Sequence, residues 1–423
     1  MTQTDVPIDA ASSPIPRGRP GRGAALLSAY VGIGLLLIAL NLRIGVASVS
    51  PVLSSIRRGL GVSASTASLL TTIPVFAFGA FAFLTPVLIS RLGLHRLLGL
   101  TMAAAAAGIG IRMIDSPVAL FAGTVLVGAA IAVGNVCMPT AIKRDFAHRA
   151  GLMMGLYTTA LFVGGALAAA FTVPLEAGFH GSWRDALGFW AVPAVIAFLV
   201  WVPRMLRSPG RVPNTHRVLD GTAELRDEPS LRRLLRDRVA WAVTGFMGLQ
   251  SLTYYGGLTW IPTMLQDAGT SAHTAGVLLS YSSLPGVVAA LAVPAMHRAR
   301  PTWLIVAVST LLCIAGFAGM LVSSTGELPW LWMTLLGLGQ GAAIALALGY
   351  IVQRAPDAQH TGHLSTMAQG IGYLFAGFGP LGLGVLHTAT DGWGIPIAAL
   401  VVLLLAQFVT GAGASRERHV LRP

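Results

Sequence analysis

Charge is what this sequence has least of. Only 10% of its 423 residues are Asp, Glu, Lys or Arg, against roughly 25% in an ordinary soluble domain. Hydrophobic residues make up 54%, and the mean hydropathy is +0.72, which excludes an ordinary soluble fold. Cysteine is nearly absent too: Cys137 and Cys313 sit in separate apolar runs, so neither a disulfide framework nor a metal site is implied. The sixteen carboxylates all fall at run ends or in loops, and none lies at mid-membrane. A polytopic membrane enzyme would need Asp, Glu or His clustered near a membrane face, so an enzyme is not expected. Alternating strands of about ten residues, the mark of a transmembrane barrel, are missing as well.

What is present is length and apolarity. Stretches of about 20 apolar residues, enough to cross a core of roughly 30 Å as helix, recur along the whole chain. Twelve are expected, at 24–50, 65–90, 95–114, 118–142, 151–176, 185–205, 239–265, 271–296, 301–323, 328–353, 362–388 and 393–412. The fold class is therefore an all-α membrane protein of twelve transmembrane helices. Arg17, Arg19 and Arg22 precede the first run as in a signal peptide. That run is too long for a signal and lacks a convincing cleavage site, so it is read as an uncleaved span.

A net charge of +12 could suggest nucleic acid, but placement decides against it. With the N-terminus assigned to the cytoplasm, 23 of the 28 basic residues fall on cytoplasmic segments and four outside, while Arg43 lies within the membrane. This is the positive-inside bias. No basic patch with interleaved aromatics exists to hold nucleic acid.

One long polar interruption, "RMLRSPGRVPNTHRVLDGTAELRDEPSLRRLLRDR" at 204–238, divides the runs six and six. An internal repeat supports the division. "GVSASTASLL" (61–70) matches "GTSAHTAGVL" (269–278) at six of ten positions with an offset of 208, and Pro86 matches Pro294 at the same offset. Arg144 with Arg354 and Trp183 with Trp393 repeat at 210, and Pro51 with Pro262 at 211. The expected organisation is a cytoplasmic tail (1–23), a six-helix bundle (24–205), a cytoplasmic linker (206–238), a second bundle (239–412) and a cytoplasmic tail (413–423).

Arg43 is the residue that calls for an explanation. A charged side chain near the centre of a span costs several kcal/mol unless it faces water, a partner or a ligand. Three readings are open: snorkelling to the outer interface, a bond to helix-end carbonyls, or a cavity-facing ligand for an anion or dipole, which the planar guanidinium fork suits. Asn41 lies on another face of the same helix, with Gly45 and Ser48, and reads as interhelical glue. Through the repeat, Arg43 corresponds to Tyr254, and Gln250, Tyr254 and Gly257 share one face of the seventh run. Tyr255 and Trp260 fit either that site or an interfacial aromatic belt. Asn135, Tyr157, Gln340, Gln369 and Tyr373 are further polar groups inside apolar runs, each a cavity ligand or an interhelical hydrogen bond. His360 and His363 look like a metal pair but occupy a predicted loop without a third ligand, so no metal is expected.

At these residues the sequence resembles the cyanate permease and 2-nitroimidazole transporter family of the major facilitator superfamily. The matching pieces are "ALNLRIGVASVSPVL", "LLTTIPVFAFGAFAFLTPVLISRLG", "GNVCMPTAIKRDFAHRAGLMMGLYTTAL" and "LQSLTYYGGLTWIPTMLQDAGTSAHTAG". The resemblance spans essentially the whole chain. It implies two pseudo-symmetric six-helix bundles and transport of small molecules by alternating access. The superfamily's loop motif G-x-L-a-D-r-x-G-r stands here as "PVLISRLGL", with Pro86 for the first Gly and Ser90 for the Asp. Arg91 and Gly93 remain as a gating loop, and hydroxyl or backbone contacts are expected in place of the missing acidic latch.

The expected function is secondary transport of a small anionic or polar organic solute across the cytoplasmic membrane, with Arg43 as anion ligand. The alternative is efflux of neutral nitroheterocycles or drug-like compounds. A channel fits the split halves poorly. The expected partners are a small-molecule substrate and the lipid bilayer, with no nucleic acid and no cofactor, around a monomer.

Overall fold

The computed structural model describes residues 22–62, 64–207, 230–322 and 328–421. The tail before Arg22 and the linker stretch 208–229 lie outside the described residues. Those described form eighteen α-helices and no strand. In the first half these are α1 (Arg22–Ala47), α2 (Leu53–Leu60), α3 (Ala64–Ala82), α4 (Thr85–Leu92), α5 (Leu94–Arg112), α6 (Pro117–Asp145), α7 (Ala150–Gly178), α8 (Trp183–Phe189) and α9 (Ala191–Arg207). The second half holds α10 (Leu231–Leu234), α11 (Arg238–Asp267), α12 (Ala272–Tyr281), α13 (Ser283–Ala299), α14 (Thr302–Val322), α15 (Leu328–Gln353), α16 (Ala358–Ala376), α17 (Phe378–Thr390) and α18 (Gly394–Ser415).

Short polar side chains start several of these helices by accepting a free first-turn N–H. Asp237 caps α11 through Ala240 N (2.8 Å), Ser271 caps α12 through Thr274 N (3.1 Å), and Asp357 caps α16 through His360 N (2.9 Å). Burial pushes the Asp357 carboxyl up, but the backbone and side-chain bonds from His360 outweigh it and hold it below the usual carboxylate range.

Among the described residues ten segments are long and apolar enough to cross a membrane, and Leu69–Ala82 with Thr85–Leu92, bent by 58°, make an eleventh if taken as one span. The remaining long helix is α11. Its 30 residues reach about 45 Å at 1.5 Å per residue, but Gln250, Ser251, Thr253, Tyr254 and Tyr255 lower its apolarity. Apolarity therefore supports ten or eleven of the twelve expected spans, and the helix that falls short is the one carrying the candidate site.

The two halves repeat each other in packing. In the first, α1 packs on α7, α3 on α6, and α5 on both α6 and α9. The second pairs α11 with α16, α13 with α15, and α14 with both α15 and α18. The contacts between halves obey the same symmetry, with α13 against α7 mirrored by α16 against α3. With no aqueous interior to drive association, close approach of backbones does much of the packing. At Gly164 of α7 a methyl group would sit on the Leu40 carbonyl oxygen of α1.

Polar residues tie helices together where hydropathy alone says nothing. Asn41 donates to Leu37 O (2.9 Å) and across to Pro193 O of α9 (3.1 Å). Arg112, which ends α5 next to a predicted outer loop, is not at the surface: it is 1% exposed and its Nη1 donates to Gly45 O (2.8 Å). Gly123 makes that burial possible, since a Cβ there would come 2.8 Å from Arg112 Cγ. At the chain's end, Val420 N donates to Arg354 O (2.8 Å) and Leu421 N to Asp237 Oδ2 (2.7 Å), folding the tail back onto the second half.

Candidate substrate-binding site

Arg43 stands one turn before the end of α1, half-buried and enclosed by protein. Its Nη1 donates to Tyr255 Oη of α11 at 3.1 Å, and its guanidinium carbon lies 5.6 Å from the centre of the Tyr254 ring. Tyr373 of α16 and Tyr157 of α7 are also close enough to feel its charge. Tyr255 and Tyr373 meet edge to face at 6.5 Å, as do Tyr254 and Tyr255 at 5.2 Å. Four phenols from three helices thus surround one guanidinium, and among the described residues Arg43 has no carboxylate partner. The snorkelling and helix-end readings have no contact to support them; the bond it makes runs across the interface of the halves to a neutral oxygen.

Tyr255, which the sequence left open between this site and an interfacial belt, is the residue that bonds Arg43. The repeat offset of 211 points to Tyr254, but the two differ by about 100° around the helix. Tyr254 offers its ring face to Arg43, while Tyr255, 7% exposed, offers its hydroxyl. Gln250 does not reach this cluster. It is 2% exposed, and its Nε2 donates to Met247 O (3.2 Å) and Ser251 Oγ (2.6 Å) within α11 itself. Trp260 donates to Pro380 O at 2.7 Å and stacks on His387, nearer the C-terminal end of α11 than the tyrosines.

Tyr254 also lines a small half-open cleft that extends along α11 toward its C-terminal end. Phe162, Ile261, Leu279, Phe317, Met333 and Leu336 give it an apolar wall, and Thr253, Ser282, Ser283 and Gln340 interrupt that wall. Arg43 does not itself line the cleft; Tyr254 is the wall between them. Gln340 is 9% exposed, and its Oε1 is buried with no hydrogen-bond partner among the described residues.

Toward the opposite end the halves are shut. Asn135 and Tyr157 join through Tyr157 Oη to Asn135 Oδ1 (3.2 Å), and Gln369 Nε2 crosses between halves to Asn135 O (2.9 Å) while also holding Ser365 Oγ (2.8 Å). Ser365 Oγ donates across to Val136 O (3.1 Å), and Lys143 Nζ to Val352 O (3.1 Å). All three crossings run from a side chain to a backbone carbonyl. The loop expected to gate adds no such bond: Arg91 is exposed with no ion pair among the described residues, and Ser90 Oγ returns to Val87 O (2.8 Å) in its own helix. Gly93 has φ +81° between α4 and α5, a conformation that favours glycine. An ionic cluster does exist nearby, with Asp145 at 3.5 Å from Arg204 and 3.6 Å from His95, but it links α5, α6 and α9 of one half only.

His360 lies against the cap Asp357 (2.9 Å) and His363 against Gln359 O (3.0 Å), both half-buried in the first turns of α16 where a loop was expected. Among the described residues no three potential ligands gather round a metal position.

The model of the family described as the Major Facilitator Superfamily matches residues 21–380. The chain belongs to the major facilitator superfamily. It is a transporter of small solutes, not an enzyme, and a multi-pass membrane protein. Among curated relatives, the "Uncharacterized transporter YycB" of Bacillus subtilis (strain 168) is 35% identical over 92% of this chain and 94% of its own length. The "2-nitroimidazole transporter" of Escherichia coli (strain K12) is 33% identical over 92% and 95%. The "Cyanate transport protein CynX" of the same organism is 31% identical over 85% and 90%. The resemblance read from the NLR and SVSPVL segments is therefore borne out. Solved structures agree in fold: the proton:xylose symporter XylE aligns with a TM-score of 0.70 at 13% identity over 93% of this chain and 95% of its own. The human organic anion transporter MFSD10 aligns at 0.67 and 15%, over 93% and 100%.

Proposed function

We propose that this superfamily member is a secondary transporter that carries a small anionic or polar organic solute across the cytoplasmic membrane by alternating access, with Arg43 as the ligand for its negative end. One observation carries the reading. A permanent cation is held at the interface of the halves with no carboxylate beside it, and a neutral phenol occupies the position an anion would take. Such a charge is costly to bury without a counter-ion, and a substrate anion supplies one. Tyr255 presents its hydroxyl and Tyr254 its ring to that charge, with the Tyr373 ring packed edge-on against Tyr255.

The bundles 24–205 and 239–412 rock about this point. Asn135 and Gln369 belong to the seal that closes one side, with Lys143 and Ser365. Arg91 and Gly93 shape the loop that must move when the seal opens, and Gln250 stiffens α11. The charge bias argues that the sealed side is cytoplasmic, with both termini and the linker, so that the cleft opens outward.

Export of neutral nitroheterocycles is the second reading, favoured by the apolar cleft wall and by one relative's name. Proteoliposome uptake of cyanate, small organic acids and 2-nitroimidazole separates the two. Arg43-dependent uptake of anions supports the first reading; uptake of the neutral compound alone, untouched by Arg43→Gln, overturns it.

A further inference from the structure

Arg43 is carried by the last stretch of α1, and that stretch is poorly made for holding still. The helix stops at Ala47, one turn beyond Arg43, and Ser50–Val52 follow as a short 3-10 turn that contains Pro51. Gly45 lies inside the last turn, where glycine weakens a helix, and a larger residue has no room there, since a Cβ would come 2.7 Å from Val127 Cγ1 of α6. Its carbonyl is released by the break: Val49 N, the donor a continued helix would give it, turns to Val46 O (3.3 Å) instead. Within a bilayer such a carbonyl must find another donor.

The donor is Arg112, reaching from the end of α5. Its Nη1 meets Gly45 O at 2.8 Å, which sets its charge at the negative end of the α1 dipole. On another side α1 lies against α7, where a Cβ at Gly165 would be 3.8 Å from Arg43 Cβ and one at Gly164 would strike Leu40 O. The end of α1 is therefore gripped by two helices, and the α5 grip falls two residues from the guanidinium that crosses to Tyr255. Satisfying a carbonyl does not by itself call for arginine. Arg112 is 1% exposed, and its Nε and Nη2 are buried with no hydrogen-bond partner among the described residues. Burying a permanent cation for one bond is costly, and what arginine adds over a neutral donor is reach and charge at the end of the helix that carries the site.

We propose that Arg112 is a positioning residue for the transport site: it fixes the rotation and register of the last turn of α1, and so aims the Arg43 guanidinium at the interface of the halves. Its part in transport rests on the reading of Arg43 as substrate ligand. One residue of slippage turns a side chain by about 100°, enough to take Arg43 off Tyr255. Arg112 itself touches no substrate.

The test is a double-mutant cycle on the thermal stability of the purified full-length protein, which needs no substrate. Arg112 and Tyr255 belong to different halves and share no hydrogen bond among the described residues, so a merely structural Arg112 would give additive shifts in Tm. Tyr255→Phe should lower Tm by about 2 °C in the unaltered protein. Beside Arg112→Gln, whose amide is too short to reach Gly45 O, it should cost less than half as much. Beside Arg112→Lys, which keeps a charged donor, it should cost nearly the full amount, and beside Arg43→Gln nothing. Arg112→Met takes the place of Arg112→Gln if the latter does not fold. A Tyr255→Phe cost that is the same in every Arg112 background overturns the positioning role, and so does one that persists beside Arg43→Gln. Failure of the anion reading shows separately: cyanate and organic-acid uptake untouched by Arg43→Gln would remove the part in transport while leaving the cycle as measured.

Discussion

The Tyr255 hydroxyl accepts a 3.1 Å hydrogen bond from Arg43 Nη1 across 212 residues of sequence, joining the two halves at one point. That bond can be broken in either direction of a transport cycle. On the proposed alternating-access reading, rocking of the halves or arrival of an anion requires the guanidinium to exchange a phenol for another acceptor. Because the phenol is neutral, the exchange costs less than breaking an ion pair would.

Replacing Arg43 with Gln should reduce substrate uptake at least a hundredfold while leaving membrane insertion and thermal stability near normal, since the variant removes a buried charge that has no counter-ion. Lys should restore little, because it lacks the planar fork. Uptake by the Gln variant at the normal rate would sink the site.

The neighbouring tyrosines should separate by chemistry. Tyr255→Phe deletes the hydroxyl that Arg43 uses and should weaken anion binding about tenfold. Tyr254→Phe keeps the ring that faces the guanidinium and should change it little, whereas Tyr254→Leu, without a ring, should be worse than Tyr254→Phe. Isothermal titration of the three variants decides, and equal effects of the two Phe variants would contradict the geometry.

The seal makes a conformational prediction. Lys143→Ala, Ser365→Ala and Gln369→Ala each remove one bond between halves, worth about 1 kcal/mol, or roughly a fivefold shift in population toward the opened side. A cysteine at Thr140, whose Oγ1 would lie 3.4 Å from a Cβ added at Gly362, introduced into a protein lacking Cys137 and Cys313, should label faster in each variant. An unchanged rate would mean the bonds do not hold the gate.

For topology, a cysteine at Ser230 should be labelled by an impermeant reagent only after the cells are opened, and one at Asp391 in intact cells. The reverse pattern would invert the charge-bias assignment.

Energy coupling should depend on charge and not on a protein-bound proton. Among the described residues no carboxylate lies in the Arg43 cluster, and Arg43 holds its proton at any working pH. An anion moving alone is driven outward by an inside-negative potential at about 2.3 kcal/mol per charge per 100 mV. His387 is the titratable group to exclude: its ring lies tilted against Trp393 with centres 4.1 Å apart, and it is 3.9 Å from Asp267. In liposomes, uptake of a permanently charged anion should follow the imposed potential. If a pH gradient drives it instead and His387→Ala abolishes this, a relay exists in the chain after all.

The helical architecture was legible in the sequence because a bilayer core constrains run length so tightly, and the repeat at 208–211 announced the halves. Arg43 stood out for the same reason, as a charge with nowhere to go. What escaped was decided by rotation and by space. A repeat offset fixes a residue to within one position, yet one position turns a side chain by about 100°, which separates Tyr254 from Tyr255. Gln250 shares a stripe with Tyr254, but α11 is packed on both sides by α16 and α18, so a polar stripe there need not face the cavity. Arg112 seemed a surface residue because nothing in hydropathy records the gap that Gly123 leaves.

The seal has a consequence for how such a gate drifts under mutation. Its three acceptors are main-chain carbonyls of Asn135, Val136 and Val352, and every amino acid brings that group with it. Substitutions at Val136 or Val352 that keep the helix leave the bond intact, and only the three donors are vulnerable. A closure built this way carries no pair of opposite charges that must change together. Its record in related sequences would be three donor positions, 143, 365 and 369, held against acceptor positions free to vary.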